Sequence, residues 1–544
     1  MVSVIQALSA PGRRKPITTT ARTVIPRTKS AQAAEHQVEV AQQSQSALTQ
    51  NDNVIDEQKQ KLLDRYLDAI VSASGSIPVL SLIGALVLLW ALMGIRFGQS
   101  ENWQVLISDV QALLCYVLDS LLMRQQLNAY DRKNRIAALM QSRSVSVRRM
   151  LRQIKRSRSN YETRPPRPVL NQTPVAIPID ITQPSWISRM VDMVCDFLGH
   201  VVTMIFFWIG IFIWLGLGLY CDWSVRWQLY INSATSALMI LVFAVLACIR
   251  EQHKRKTSAY LRQVCDLDVC LESQLRERTD DQIPNEPVTI YPGAVGRLER
   301  AISYYADLVG TLAGICLLMS VIVVWIAIGP ALHFSSNWWL IIGTYAGLIG
   351  MHDGFVLHNI QSQLNRQSQA ALADVVKDDW EALAITSLVA RRKSSVSSAG
   401  HERRSRPEIA PTYLSETTRP ADLSLTTRIS TRLSGLMSHQ VAVLVGIFFI
   451  LALLVVASAL GWSITGQLLC NIPPSIVETF VMMALITRER LDWDEEGRVW
   501  QTMGEKRTAF LDWLKTLSQE MAEKEVEIVE VESEKKEESA AQED

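Results

Sequence analysis

Apolar runs of about twenty residues alternate along the chain with polar, Arg- and Ser-rich stretches, and that length matches the roughly 30 Å hydrocarbon core of a bilayer. The runs come in pairs, which predicts four helical hairpins: Ile77–Gln125, Phe197–Arg250, Asp307–Gln361 and Val441–Thr487. Three of them share one spacing, G-x14-W-x3-G-x8-W, carried by Gly75, Trp90, Gly94 and Trp103, by Gly199, Trp214, Gly218 and Trp227, and by Gly310, Trp325, Gly329 and Trp338. Such self-similarity marks internal repeats. Asp109, Gln111 and Asp119 interrupt the second run of the first hairpin, and the repeat is what promotes it to a span. The fourth copy is degenerate. It lacks the Trp pair but keeps Gln467 in the slot of Gln104 and Gln228, and Asn471 in the slot of Asn232. Asn as an N-cap before Pro473 and Pro474 reads as a helix start. Only about 22 Å of helix then remains to Thr487, so Gly461–Ile472 is expected to be partly unwound inside the protein, as tolerated where backbone lines a cavity.

The resulting fold class is all-α: a polytopic membrane protein of eight transmembrane helices, built as four inexact repeats of a hairpin at 76–126, 196–250, 307–361 and 440–488. The intervening segments read as a largely disordered N-terminal region (1–75), a basic and Pro-rich loop (127–195) with Pro165 to Pro184 as linker, a loop with a surface helix (251–306), a Ser/Arg-rich loop (362–439) and an acidic tail (489–544). The Ser/Thr/Arg-rich stretch up to about Arg432 has too little apolar area to offset the entropy of ordering and is expected to be disordered. The tail is expected to be a helix fraying from about Glu520. The hairpin turns hold few charges, whereas every long segment is rich in Arg and Lys beside its membrane end. The positive-inside rule then puts both termini and all long loops in the cytoplasm.

Composition sharpens this little. The 54 Lys and Arg balance 54 Asp and Glu, but the signs sit in different places, so the zero net charge does not speak to partners. Basic stretches read as topogenic and lipid-facing charge, and no nucleic-acid partner is expected. No short apolar leader is visible near the start; a mitochondrial presequence, suggested by the basic, acid-free first thirty residues, is a minor alternative. The eight cysteines form no CxxC, so neither a disulfide framework nor a zinc ribbon is expected. No P-loop, GxSxG, HExxH or dinucleotide fingerprint is present, and no enzyme activity or resident cofactor is expected.

The second helix of each hairpin carries the candidate chemistry. Counted from its opening Trp or that slot, Asp119 lies sixteen residues on, Asp353 fifteen and Glu478 twelve. These offsets share one helix face, one turn apart, so three acids could converge on one axis. The second copy has Val242 and Phe243 there and offers none. An ionisable side chain in a membrane helix costs a few kcal/mol on insertion scales and is a functional hypothesis by default. A divalent cation would cancel much of that cost, and oxygen ligands suit first-row metals. The competing reading of each acid is a retained proton or an ion pair, with Arg124 available to Asp119. Asp109, nearer the opposite end, is a candidate entry site. His352 points about 100° away from its neighbour Asp353 and is a pathway candidate before a co-ligand. Trp103, Trp227 and Trp338 read as interfacial anchors. The stripe Gly343, Gly347, Gly350 and Gly354 reads as close helix packing.

Trp227-Gln228-Leu229-Tyr230-Ile231-Asn232-Ser233-Ala234-Thr235, after Gly199 and Trp214, resembles the WQLxINTxTT pattern of the low-affinity iron permease family. Trp325…Gly329-Pro330…Trp338 keeps that family's GP, and Trp103-Gln104 its WQ. The resemblance spans all four hairpins and implies uptake of Fe(II), with some passage of Zn, Cu or Mn, across the plasma membrane. It implies a divalent metal substrate and the lipid bilayer as partners. Third-copy Gly343 replaces the family's Asn, and the fourth copy lacks both Trp, so the motif does not say which residues hold metal. A site within one chain and a site on the axis of a homo-oligomer both remain open. So do two rival functions: a channel or transporter for another cation or protons, and a non-transporting membrane scaffold or sensor.

Overall fold

The computed structural model describes residues 14–24, 62–159, 186–391 and 425–541. Its helices recur in one order, short, apolar, long: α1 (Leu62–Ser74), α2 (Ile77–Phe97), α3 (Glu101–Ser159); α4 (Trp186–Leu198), α5 (Val201–Gly218), α6 (Val225–Thr279); α7 (Arg297–Val309), α8 (Leu312–Ile328), α9 (Ser336–Arg391); α10 (Leu425–Met437), α11 (Gln440–Ala459), α12 (Ile464–Ala541). Strands β1 (Ile17–Thr19) and β2 (Val288–Ile290) pair antiparallel beside α3. Among the described residues, seven helices are long and apolar enough to cross a membrane, and the bent pair α7–α8 makes up to eight.

The four long helices pack as a square: α3 against α6 and α9, and α12 against α6 and α9. They hold the polar residues of the apolar half of the chain inward, where Asn232, Asn471, Gln111 and Ser236 are buried. The apolar helices stand outside them. No residue of α2 is buried, and Leu86, Phe206, Phe212, Val323, Phe448 and Val455 are exposed, as lipid-facing side chains are.

The first three hairpins are each stapled by their tryptophans. Trp90 and Trp103 stack at 4.3 Å, Trp214 and Trp227 at 3.9 Å, and Trp325 and Trp338 at 4.4 Å, all within 5° of parallel. In each pair the first indole N–H donates to the backbone carbonyl of the second Trp, at 3.3, 3.4 and 3.1 Å. The glycine between them makes room for an aromatic ring: a Cβ on Gly329 would lie 2.4 Å from the Phe334 ring. The tryptophans, expected as interfacial anchors, therefore also lock the hairpin, and this accounts for the fixed Gly/Trp spacing. Gln104, Gln228 and Gln467 each donate a side-chain N–H to a carbonyl of the preceding turn, a brace rather than a lining group.

The bend between each short helix and its apolar helix docks on the long helix of the next repeat around the square. Gly75 abuts the carbonyl of Ala247 on α6. Gly199 accepts from Thr487 on α12 at 2.6 Å. Ser438 bonds His358 and Asn359 on α9, and Gly310 lies against Arg124 and Leu127 on α3. The ring of contacts closes on itself. The short helices are amphipathic, with Tyr66 and Ile70, or Met193 and Phe197, turned outward, as suits a helix lying in the headgroup region.

Several expectations are corrected. Gly461–Ile472 is not an unwound segment. Gly461 and Trp462 form a left-handed turn, after which α12 is continuous from Ile464, with Pro473 and Pro474 inside it. Thr344 of α9 donates to the carbonyl of Gln467, which ties this part of α12 to α9. Ile464–Thr487 then gives about 36 Å of helix, ample for a span. The segments read as loops after hairpins one and three begin as direct continuations of the long helices, to Ser159 and Arg391; the helix expected after Arg250 to about Arg278 is present, as a continuation of α6 to Thr279, and the tail continues α12 to Ala541. Their basic surfaces hide apolar stripes that form a second bundle core, from Met140 and Leu151, Val264 and Leu275, Leu372 and Val375, and Trp500, Met503 and Leu514. Within 1–75 the described residues include a strand and α1, and Leu425–Met437 is helical rather than disordered. The Pro165 to Pro184 linker and residues 392–424 lie outside the described residues.

Candidate functional site

Asp119, Asp353 and Glu478 are 1%, 1% and 0% exposed, deep in the square of long helices. Asp119 lies within electrostatic reach of both Glu478 and Asp353, and Glu478 within reach of Asp353. Their oxygens are almost without partners. Both oxygens of Asp119, both of Glu478 and Oδ2 of Asp353 have no hydrogen bond, and the remaining oxygen of Asp353 accepts from the Tyr305 hydroxyl at 2.5 Å. Natural interiors rarely leave a buried polar atom unpaired, and here five carboxylate oxygens without partners lie close together. Among the described residues, no three His, Cys, Asp or Glu side chains form a ready-made metal cage; the acids are neighbours, not a closed coordination sphere.

The small residues of α9 make this layer possible. A Cβ on Gly350 would fall 2.6 Å from both carboxylate oxygens of Glu478. The stripe therefore does more than pack helices: it lets a carboxylate from α12 lie against α9. Cys115, on the same turn of α3, is buried and feels both Glu478 and Asp119.

Polar side chains continue along the axis on the side of the hairpin turns. Asn471 donates to Ser108 at 3.3 Å across the diagonal of the square and accepts from Ser475. Ser236 donates to Gln111 at 3.2 Å. Asn232 is fully buried with both amide atoms unpartnered, and Asp109 is buried with one free oxygen. His352 is outside the carboxylate layer and packs edge-on against Tyr305, 4.8 Å between ring centres. Arg124, the available partner of Asp119 in sequence terms, pairs instead with Asp68 at 2.8 Å.

Tyr305 was not singled out from the sequence. It sits on the amphipathic helix α7, in a Tyr-Tyr pair with nothing to distinguish it from interfacial aromatics. The layer of Gln126, Arg250, Gln361 and Glu489 was also missed. These four lie at the same distance along the four long helices, a signal that only a full alignment of the repeats makes visible.

The family description low affinity iron permease matches residues 298–390 and 426–496. The chain is 30% identical over 462 residues to the low-affinity Fe(2+) transport protein of Saccharomyces cerevisiae, covering 80% of each chain. It is also 30% identical over 425 residues to the low-affinity iron/zinc ion transport protein fet4 of Schizosaccharomyces pombe, covering 78% of this chain and 68% of that one. The chain belongs to the low-affinity iron permease family. That family and these relatives are transport proteins, not enzymes. No solved structure matches the chain. Both segments matched by the permease family lie in the third and fourth repeats, which supply Asp353 and Glu478; Asp119 comes from the first.

Proposed function

We propose that this permease carries Fe(II), and with it other divalent transition metals such as Zn, Cu and Mn, inward along the axis of the four long helices. The observation that carries the reading is the layer of five unpartnered carboxylate oxygens on Asp119, Asp353 and Glu478. Oxygen donors without a thiolate cage suit a hard or borderline divalent ion held weakly. The names of the two relatives, iron and iron/zinc transport proteins, point to the same cargo. The metal is a passing substrate, with no resident cofactor.

In this reading the chain is a plasma-membrane protein of eight spans in four repeats, with both termini and the long helix extensions in the cytoplasm. Asp109 and the Asn232–Ser108–Asn471 layer lie on the entry side, and Asp119, Asp353 and Glu478 nearer the inner face. A membrane potential supplies about 2.3 kcal/mol per elementary charge per 100 mV, about twice that for a divalent ion, so no ATP site is required. The path runs within one chain and does not require a homo-oligomer.

Iron uptake into cells expressing Asp119→Ala, Asp353→Ala and Glu478→Ala tests this. Each is expected to cut uptake about tenfold or more at unchanged surface level, a loss of about 1.4 kcal/mol or more of ion stabilisation. Normal uptake in all three would refute the site.

A further inference from the structure

About three helical turns beyond Glu478, the bundle axis is crossed by a cation. Gln126, Arg250, Gln361 and Glu489 occupy equivalent places on α3, α6, α9 and α12. Arg250 is buried, and its guanidinium reaches all three other helices. It donates to the Leu122 carbonyl of α3 at 3.2 Å. It donates to Gln361 of α9, the diagonal neighbour across the square. Its Nε lies 3.4 Å from Glu489 of α12, and Gln361 in turn donates to the same Glu489 oxygen at 2.8 Å. From Glu478 to Glu489 is about 16 Å along α12.

On the far side of this layer lies a cavity of about 570 Å³, lined among others by Arg250, His253, Lys133, Glu489, Asp492 and Glu496. Arg250 and Glu489 therefore form the wall between the carboxylate layer and the cavity. The second repeat, which contributes no acid to the carboxylate layer, is the one that contributes this cation.

We propose that Arg250 is the inner latch of the ion path, and that Glu489 is the group a departing cation takes over from it. A divalent cation leaving the carboxylates meets a fixed positive charge spanning the axis. Passage requires the guanidinium to swing away from Glu489 into the cavity. The carboxylate it leaves, still held by His253 at 2.6 Å and by Gln361, receives the metal, so one cation replaces another and no negative charge is left bare in the bundle. Gln361 makes the exchange local: it ties the guanidinium in place without adding charge. This inference rests on the axial path proposed above.

The test is Zn(II) and Mg(II) influx into proteoliposomes of the full-length protein with an entrapped fluorescent chelator. Arg250→Gln makes the layer three glutamines and one glutamate. It is expected to raise Zn(II) influx about tenfold where latch opening limits the flux and to admit Mg(II). Gln361→Ala unties the guanidinium while leaving its charge paired; the same direction and a smaller rise are expected. If Arg250→Gln does not give monodisperse protein, Gln361→Ala decides alone. A folded variant with wild-type or lower influx and unchanged Zn(II)/Mg(II) discrimination would overturn the latch. Asp119→Asn in each background separates the two ideas. If the gain disappears, both stand. If the gain persists, the latch stands and the carboxylate site falls. If there is no gain but Asp119→Asn alone stops influx, the site stands and the latch falls.

Discussion

At the scale of single residues, Gly350 controls the carboxylate layer from outside it. It ligates nothing, yet its missing Cβ is what allows the Glu478 carboxylate to lie flat against α9. Gly350→Ala is expected to displace both oxygens of Glu478 and to cut iron uptake as much as Glu478→Ala, with the protein still reaching the surface. Gly354, one turn on, faces the flexible end of Met482 at 3.4 Å, an ordinary contact. Gly354→Ala is therefore expected to leave uptake within about twofold, because a methyl group in van der Waals contact costs little. Uptake assays on the two variants at matched surface level check this, and equal effects would remove Gly350 from the site.

At the scale of elements, the hairpin staple unites stacking, a hydrogen bond and a close Gly–aromatic contact. Trp325 and Trp338 are the most complete case, since each indole N–H donates to the carbonyl of the other Trp, at 3.1 and 2.8 Å. Trp325→Ala removes a buried ring and its indole hydrogen bond to the Trp338 carbonyl, and about 3–5 kcal/mol of stability is expected to go with it. Melting in detergent checks this, with iron flux per folded molecule expected to stay near wild type, because the staple is far from the carboxylates along α9. What was legible in the sequence follows from the same logic. The staple imposes a fixed spacing within one hairpin, so three copies of Gly and Trp revealed it. Asp119 and Asp353 stood out because a charge in an apolar run is rare. Helix continuation after the second hairpin was legible to about Arg278, but after the first it was not, since the apolar stripe of Met140 and Leu151 is diluted by Arg and Ser on the outer face. The unwound fourth segment was inferred from Pro473 and Pro474 as a helix start, whereas α12 runs through both prolines. Tyr305 and the Arg250 layer depend on contacts between repeats, which spacing within a single repeat does not encode.

At the scale of the whole molecule, the membrane half and the helical extension are one object, because the same four helices run through both. The extension is not held by apolar packing alone. Arg507 of α12, fully buried, pairs with Asp268 of α6 and, at 2.8 Å, with Asp379 of α9, and so ties three of the four long helices together well beyond the apolar spans. Burial pushes the Asp379 carboxyl up to about 6, against the pull of Arg507. A buried ion pair contributes little net stability over an apolar replacement, but removing one partner strands the other and costs about 3–5 kcal/mol. Arg507→Met strands two carboxylates at once and is expected to lower the melting temperature markedly near neutral pH. The sign of the pH dependence follows from the raised value. A carboxyl whose folded pKa exceeds its unfolded value of about 3.9 binds its proton more tightly in the folded state; its stabilising contribution is complete below that value and is lost as pH rises through about 6. Without Arg507 the carboxyl rises further, and protonation relieves the stranded charge. The deficit of Arg507→Met relative to wild type is therefore expected to be smaller at about pH 5 than at about pH 7.5. Melting curves in detergent at the two pH values check this, and a deficit that grows on acidification would mean that the extension is held by something other than this triad.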